Sequence, residues 1–207
     1  MQAWVSLIEQ AASECHVTRP QLISDTVFAA AGSGVEELRR LVDFARYLLS
    51  HGTGQSMPIR GAITYGPYEW GRLTYGKAVV RAHSLEMAQN WIGVTCDNNL
   101  PHVDELWGPN SLICFPAPMK GAQIRLHPVV TWDIPRFSDL TGILTRGGLT
   151  KKGEVLTWEW ADKLNNTVLL DMYRKWLTAK KMSAKDFYGL GPLQVFSEGH
   201  VIAGGLA

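Results

Sequence analysis

The stretch that most constrains how this chain can fold is LISDTVFAAA at residues 22–31, in which one carboxylate stands among apolar side chains. A short run of this composition predicts a strand that is covered on both faces. Because an ionised aspartate is costly to bury, Asp25 in such a strand needs a cation, backbone N–H groups or a basic partner. The residues leave an alternative open, in which Ser24 and Asp25 form the tight turn of a hairpin.

Composition narrows the class of protein. A chain of 207 residues can bury a sizeable core as one domain, with or without an appendage. Its net charge of +1 gives no long-range attraction for nucleic acid. Nucleic acid is therefore not an expected partner. Three cysteines without a CxxC spacing argue against a disulfide scaffold and favour a reducing compartment. No apolar run of about 18 residues occurs, so a membrane is not an expected partner either, and we expect a cytoplasmic protein.

Hydrophobic periodicity predicts alternating helices and strands along most of the chain. The predicted elements, in chain order, are helix 1–15, strand 20–31, helix 35–50, strand 57–66, helix 77–91, strand 92–95, a hairpin of 112–115 and 123–132 around Pro116 to Pro118, and helices 155–164 and 167–180 with Asn166 as N-cap. Such an order favours an α/β (α+β) fold with helices packed on one sheet. We expect a main domain at 1–135 and a C-terminal helical extension at 136–207, packed on the same domain or on a dimer partner.

Three segments in this order resemble class III nucleotidyl cyclases. They are QLISDTVF, IRGAITYG and YGKAVVRAHSLEMA, and together they lie between residues 21 and 97. The group they most resemble is the bacterial pyrimidine cyclases of Pycsar antiphage defence. The resemblance implies a ferredoxin-like cyclase sheet and the activity of a phosphorus–oxygen lyase, which converts UTP or CTP to the 3′,5′-cyclic monophosphate and diphosphate.

The resemblance also implies a site for two divalent cations, Mn²⁺ or Mg²⁺, held by two carboxylates. Asp25 matches the second of the family's metal-binding aspartates. The first should lie on an opening strand upstream, but Glu9 and Glu14 precede Asp25 without a strand-like run around them. We therefore expect a cyclase domain that is N-terminally incomplete, or a homologue that has lost one metal ligand. The first alternative is favoured, because a sheet without that strand would expose two edges.

Two further positions are those that read the base in adenylyl cyclases. The purine-selecting lysine falls on Gln21 and its aspartate partner on Leu73, so neither purine-reading side chain is kept. This agrees with a pyrimidine substrate. Thr26, beside the matched aspartate, is assigned to substrate binding with them.

The family's transition-state asparagine and arginine fall on Val80 and Ser84, and both are absent. Arg81 and Lys77 are the nearest cations that could meet triphosphate charge, and they are the predicted catalytic residues. Arg81 could instead be a solvated charge on a helix face. Arg60 could bind phosphate, or it could pair with Glu69 or Asp97.

The predicted function is therefore a pyrimidine nucleotide cyclase that works as a head-to-tail homodimer. Its product would act on a separate cyclic-nucleotide effector protein. A catalytically inactive cyclase-homology module that binds nucleotide or a partner chain is the alternative, and an unrelated α/β domain with chance matches is a third. The late tryptophans are expected to fill the core or an interface, and they are Trp132, Trp158, Trp160 and Trp176.

Overall fold

A computed structural model describes residues 2–71, 74–121, 123–135, 139–142, 150–151, 155–156 and 158–179. The helices are α1 (Gln2–Glu14), α2 (Val35–Gly54), α3 (Lys77–Ala88) and α4 (Trp158–Ala179), and a 3₁₀ turn covers Val103–Glu105. The strands are β1 (Gln21–Ile23), β2 (Thr26–Phe28), β3 (Arg60–Ile63), β4 (Gly93–Cys96), β5 (Leu112–Met119), β6 (Gln123–Val130), β7 (Thr150–Lys151) and β8 (Val155–Leu156). The fold is of the mixed α/β class. Within the described residues, no helix is both long and apolar enough to span a bilayer.

A four-stranded sheet in the order β3-β4-β6-β5 forms the centre of the molecule. β3 and β4 are parallel, with Arg60 opposite Gly93, because α3 crosses between them. β6 runs antiparallel to both β4 and β5. The sheet is therefore built around one strand–helix–strand crossover and one long hairpin.

The core lies between this sheet and the apolar faces of α2 and α4. Leu38, Val42, Ala45 and Leu49 recur at helical spacing on α2, and all four are buried. At the centre, the ring of Phe115 lies 5.7 Å from that of Trp91 and 5.5 Å from that of Tyr173, measured between centroids. The sequence prediction that α2 ends near residue 50 falls short, since α2 continues to Gly54.

The two predicted C-terminal helices are one. α4 runs without a break from Trp158 to Ala179, so Asn166 is not an N-cap. Its side-chain Nδ2 instead donates to the Asn90 carbonyl oxygen at 2.7 Å, and the Thr167 hydroxyl accepts from the Ile92 N–H at 2.8 Å. These bonds attach the helix to the short segment between α3 and β4.

The expectation of a tryptophan-filled core is confirmed for the residues that can be described. Trp132 is buried, and Trp176 packs against the core. The side chains of Trp158 and Trp160 lie outside the described residues.

The second hairpin differs from its prediction in where it turns. Pro116, Ala117 and Pro118 lie inside β5 and not at the turn, which follows Met119. Prolines fit here because β5 is an edge strand of the sheet, where a missing N–H breaks no pairing with β6.

The first hairpin settles the alternatives for residues 22–31. The run is not one strand but two, with Ile23 opposite Thr26 and a two-residue turn between them. Ser24 adopts a φ of +59° in that turn. This hairpin is a sheet of its own. It packs with α1 and α2 in a second cluster that includes Leu7, Ile8 and Phe44.

Candidate functional site

A groove separates the first hairpin from the central sheet. It has a volume of about 1530 Å³. One wall is formed by residues 24–34, which include β2, and the other by residues 57–67, which include β3. Leu41, Phe44 and Leu48 of α2 line it between these walls. Residues of α3 line it as well, among them Ala78 and Ala82. The groove is therefore apolar along most of its length, and it is bounded by two strands and by α3.

Three of the predicted site residues line this groove, namely Asp25, Thr26 and Arg60. Asp25 and Thr26 are exposed at the tip of the hairpin, where the tight turn presents the carboxylate to solvent. The alternative of a turn aspartate, left open by the sequence, is the observed one. Exposure also removes the need for a buried counter-charge.

The Arg60 guanidinium is already bound to other protein groups, so it is not a free phosphate ligand. Its Nε forms an ion pair with Glu86 of α3, and its Nη1 donates to the Gln89 carbonyl oxygen at 3.3 Å. The predicted pairing alternatives, Glu69 and Asp97, are wrong. Because β3 and α3 are adjacent in space, the arginine bridges the strand to the end of that helix.

Lys77 and Arg81, the predicted catalytic cations, both lie on α3 and neither lines the groove. Arg81 forms an ion pair with Asp97, which directly follows β4. The Arg81 side chain is 44% exposed, so it is also a solvated charge on the face of α3, which was the alternative prediction. Lys77 is exposed at the first residue of the helix. Within the described chain, the cations and Asp25 are not brought together.

Gln21 is joined to the loop that carries Leu73. Its Nε2 donates to the Gly71 carbonyl oxygen at 2.8 Å, and its Oε1 accepts from the Thr74 hydroxyl. Leu73 itself lies outside the described residues. Gln21 thus contacts the described residues on either side of positions 72–73, far from it in the sequence.

The described residues fit one divalent cation better than two. Asp25 is one carboxylate on the groove, and the other, Glu86, is engaged by Arg60. No group of three or more His, Cys, Asp or Glu side chains that could hold a metal occurs in the part of the chain that can be described. A Mg²⁺ or Mn²⁺ ion can be held by one carboxylate together with phosphate oxygens and water. The expected two-ion site bridged by two carboxylates stays a prediction.

Sequence reasoning missed a buried polar cluster beneath the site. Gln89 is fully buried at the end of α3, where its Nε2 donates to the Gly61 carbonyl oxygen at 2.7 Å. Its Oε1 accepts from the Thr95 hydroxyl at 2.7 Å. No signal in the sequence separates this glutamine from an exposed helix residue. The cluster fixes α3, and hence Arg81, relative to β3 and β4.

The buried thiols and imidazole near the sheet are held in their neutral forms. Burial raises the pKa of Cys114 to about 12 and raises that of Cys96 further, so neither is a thiolate nucleophile. Burial also lowers the pKa of His127, whose Nδ1 lies 3.1 Å from the Cys96 carbonyl oxygen. These groups belong to the core and not to the groove.

Comparisons with protein-family models, with curated proteins and with solved structures found no match.

Proposed function

We propose that the protein is a pyrimidine nucleotide cyclase with a ferredoxin-like cyclase sheet, and that Asp25 holds the metal–triphosphate end of the substrate. The observation that carries the proposal is the position of Asp25. A carboxylate in an exposed hairpin turn, on the rim of a groove, is open to a hydrated divalent ion and to phosphate oxygens. The three matching segments, in their order, support the same function.

In the proposed reaction, the 3′-hydroxyl oxygen of UTP or CTP forms a bond to the α-phosphorus. The bond from that phosphorus to the bridging β-phosphate oxygen breaks, diphosphate leaves and the hydroxyl proton passes to solvent. A Mn²⁺ or Mg²⁺ ion at Asp25 would neutralise triphosphate charge. Lys77 and Arg81 would supply cations to the same phosphates, for which Arg81 would exchange Asp97 for phosphate. The described residues offer no second metal carboxylate, so no step is assigned to a second ion.

A head-to-tail homodimer is part of the proposal. Asp25 stands at the tip of the hairpin and Gln21 at its base. Lys77 and Arg81 are not among the groove-lining residues, although other residues of α3 are. One subunit would therefore contribute Asp25, and the other would contribute the cations and the base-reading side chains. The cyclic product would act on a separate effector protein.

The test of the activity is incubation with each of the four nucleoside triphosphates and Mn²⁺, followed by chromatography of the products. We expect a 3′,5′-cyclic monophosphate from UTP or CTP, and none from the Asp25→Asn variant. Glu9→Gln, which neutralises an exposed acid on α1, is the matched control and should keep full activity. Absence of any cyclic product from all four nucleotides would remove the cyclase proposal.

Mixed dimers test whether the site is shared between subunits. Asp25→Asn and Lys77→Ala would each be inactive alone, because each spoils both sites of a symmetric dimer. After mixing, half of the subunit pairs would carry one intact site, so about a quarter of the activity should return. No recovery on mixing two folded variants would contradict the shared site.

One observation favours the second candidate, a module that binds nucleotide without turning it over. Arg81 is engaged by Asp97, which itself is mostly buried. If this pair persists when nucleotide is bound, no arginine of α3 reaches the phosphates. Binding of Mn²⁺–UTP or Mn²⁺–CTP with no cyclic product would identify this module.

A further inference from the structure

The two edge strands of the central sheet, β5 and β3, differ in how well they are protected from pairing with another strand. At the β5 edge, prolines occupy positions 116 and 118, and neighbouring segments cover the strand at both ends. The Asn90 N–H donates to the Pro118 carbonyl oxygen at 3.0 Å, and the Leu112 N–H donates to the Leu106 carbonyl oxygen at 3.2 Å. These are the usual devices by which proteins protect an edge from pairing.

The opposite edge, β3, is open as far as the described strands are concerned. In the described part of the chain, β3 pairs with β4 alone. The Ile63 carbonyl oxygen accepts from the Asp97 N–H at 2.9 Å, so the backbone groups of Ile63 face β4. Because these groups alternate along a strand, the N–H and C=O of Ala62 face the groove. No proline blocks this edge between residues 59 and 66.

A second open edge faces it across the groove. β2 pairs only with β1 among the described strands. In a hairpin with a two-residue turn, the residues that flank the turn bond to each other, here Ile23 and Thr26. The backbone groups of Val27 therefore point away from β1, and residues 24–34 line the groove whereas β1 does not.

The space between these edges has the shape of a slot for one strand. Its floor includes the apolar Leu41, Phe44 and Leu48 of α2. At one end the two walls meet, since the Tyr68 hydroxyl donates to the Ala31 carbonyl oxygen at 3.2 Å. β2 has three residues and β3 has four, which give edges of roughly 10–13 Å of strand. An occupant that satisfies both edges must carry N–H and C=O groups on both sides, which is the pattern of an extended polypeptide.

We propose that the groove binds an extended polypeptide segment from outside these 207 residues, as a β-strand that pairs with β2 on one side and with β3 on the other. Every second side chain of the segment is apolar, because one of its faces lies on α2. The segment joins the hairpin and the four-stranded sheet into one continuous sheet. This inference does not depend on the proposed cyclase activity, since neither nucleotide nor metal takes part in it.

The probe is an acetylated heptapeptide of alternating threonine and valine labelled with fluorescein, and binding is read by fluorescence anisotropy without nucleotide. Ala62→Pro removes the N–H that faces the groove, and Ala62→Ser keeps it as the matched control. We expect Ala62→Pro to weaken binding about tenfold or more and Ala62→Ser to leave it unchanged. Equal binding to wild type and the folded proline variant would overturn the proposal, as would no binding of the probe to wild type.

Modified probes keep the test decisive if Ala62→Pro does not fold. Methylation of the valine nitrogens removes the donors on one edge of the peptide, and methylation of the threonine nitrogens removes those on the other. Both should weaken binding to wild type, and hydrogen exchange of the Ala62 and Val27 amides should slow when the parent peptide binds. Binding without protection of both amides would contradict pairing at the two edges.

Sedimentation distinguishes the other occupant, a second copy of this chain. Wild type and Ala62→Pro should have the same mass in solution. A higher mass for wild type alone would mean that a second copy fills the groove, and it would overturn the assignment to an outside segment.

Discussion

The side-chain amide of Gln89 donates a hydrogen bond of 2.7 Å to the carbonyl oxygen of Gly61, across the junction of α3 and β3. The same side chain accepts from the buried Thr95 hydroxyl. Replacement of Gln89 by methionine leaves that hydroxyl without its acceptor. We expect Gln89→Met to lower the free energy of unfolding by about 2–4 kcal/mol, measured by urea denaturation.

A double-mutant cycle separates this network from packing. Thr95→Val alone leaves the glutamine oxygen unsatisfied and should also destabilise. The combined variant removes both partners, so its loss of stability should be smaller than the sum of the two single losses. Strict additivity would mean that Gln89 and Thr95 do not interact in solution.

The position of the Trp91 ring requires a glycine at position 93. A Cβ at this position would overlap the Trp91 indole, which is fully buried and cannot swing away. We expect Gly93→Ala to lower the free energy of unfolding by about 1–3 kcal/mol. Gly108→Ala is the matched control, since a Cβ there meets open space, and it should change stability by no more than about 0.5 kcal/mol. Similar losses in both variants would argue against this packing.

His127 links stability to pH. Burial lowers its pKa in the folded protein below the ordinary value of 6.5. The unfolded chain therefore binds more protons than the folded chain as the pH falls through that value, and the free energy of unfolding declines towards acid. Urea denaturation at about pH 8, 7, 6 and 5 should show a weaker decline for His127→Gln than for wild type. Parallel curves would mean that His127 does not contribute to the decline.

The alternation of helices and strands could be predicted from the sequence because each element carries its own periodicity. The buried face of α2 and the order strand, helix, strand between residues 57 and 95 were predicted from spacing, whereas the parallel pairing of β3 with β4 was not. The position of the turn between β5 and β6 could not, because prolines suit both a turn and an edge strand, and only the order of strands decides between them.

The candidate site was predictable only in part, because tertiary packing decides which partners its side chains contact. The hairpin turn at Asp25 was one of two alternatives, and its choice depends on what covers the strand. The partners of Arg60 and Arg81 are set by how α3 lies on the sheet, which no local pattern encodes. Gln89 was missed because a polar residue at a helix end is ordinarily exposed, and here tertiary contacts bury it.

The most direct measurement of the central claim is a calorimetric titration of the protein with UTP and with CTP, each with and without Mn²⁺. We expect Mn²⁺-dependent binding of at least one pyrimidine nucleotide, strongly weakened in Asp25→Asn and unchanged in Glu9→Gln. Binding that is equally tight in wild type and Asp25→Asn, or no Mn²⁺-dependent binding of either nucleotide, would contradict it.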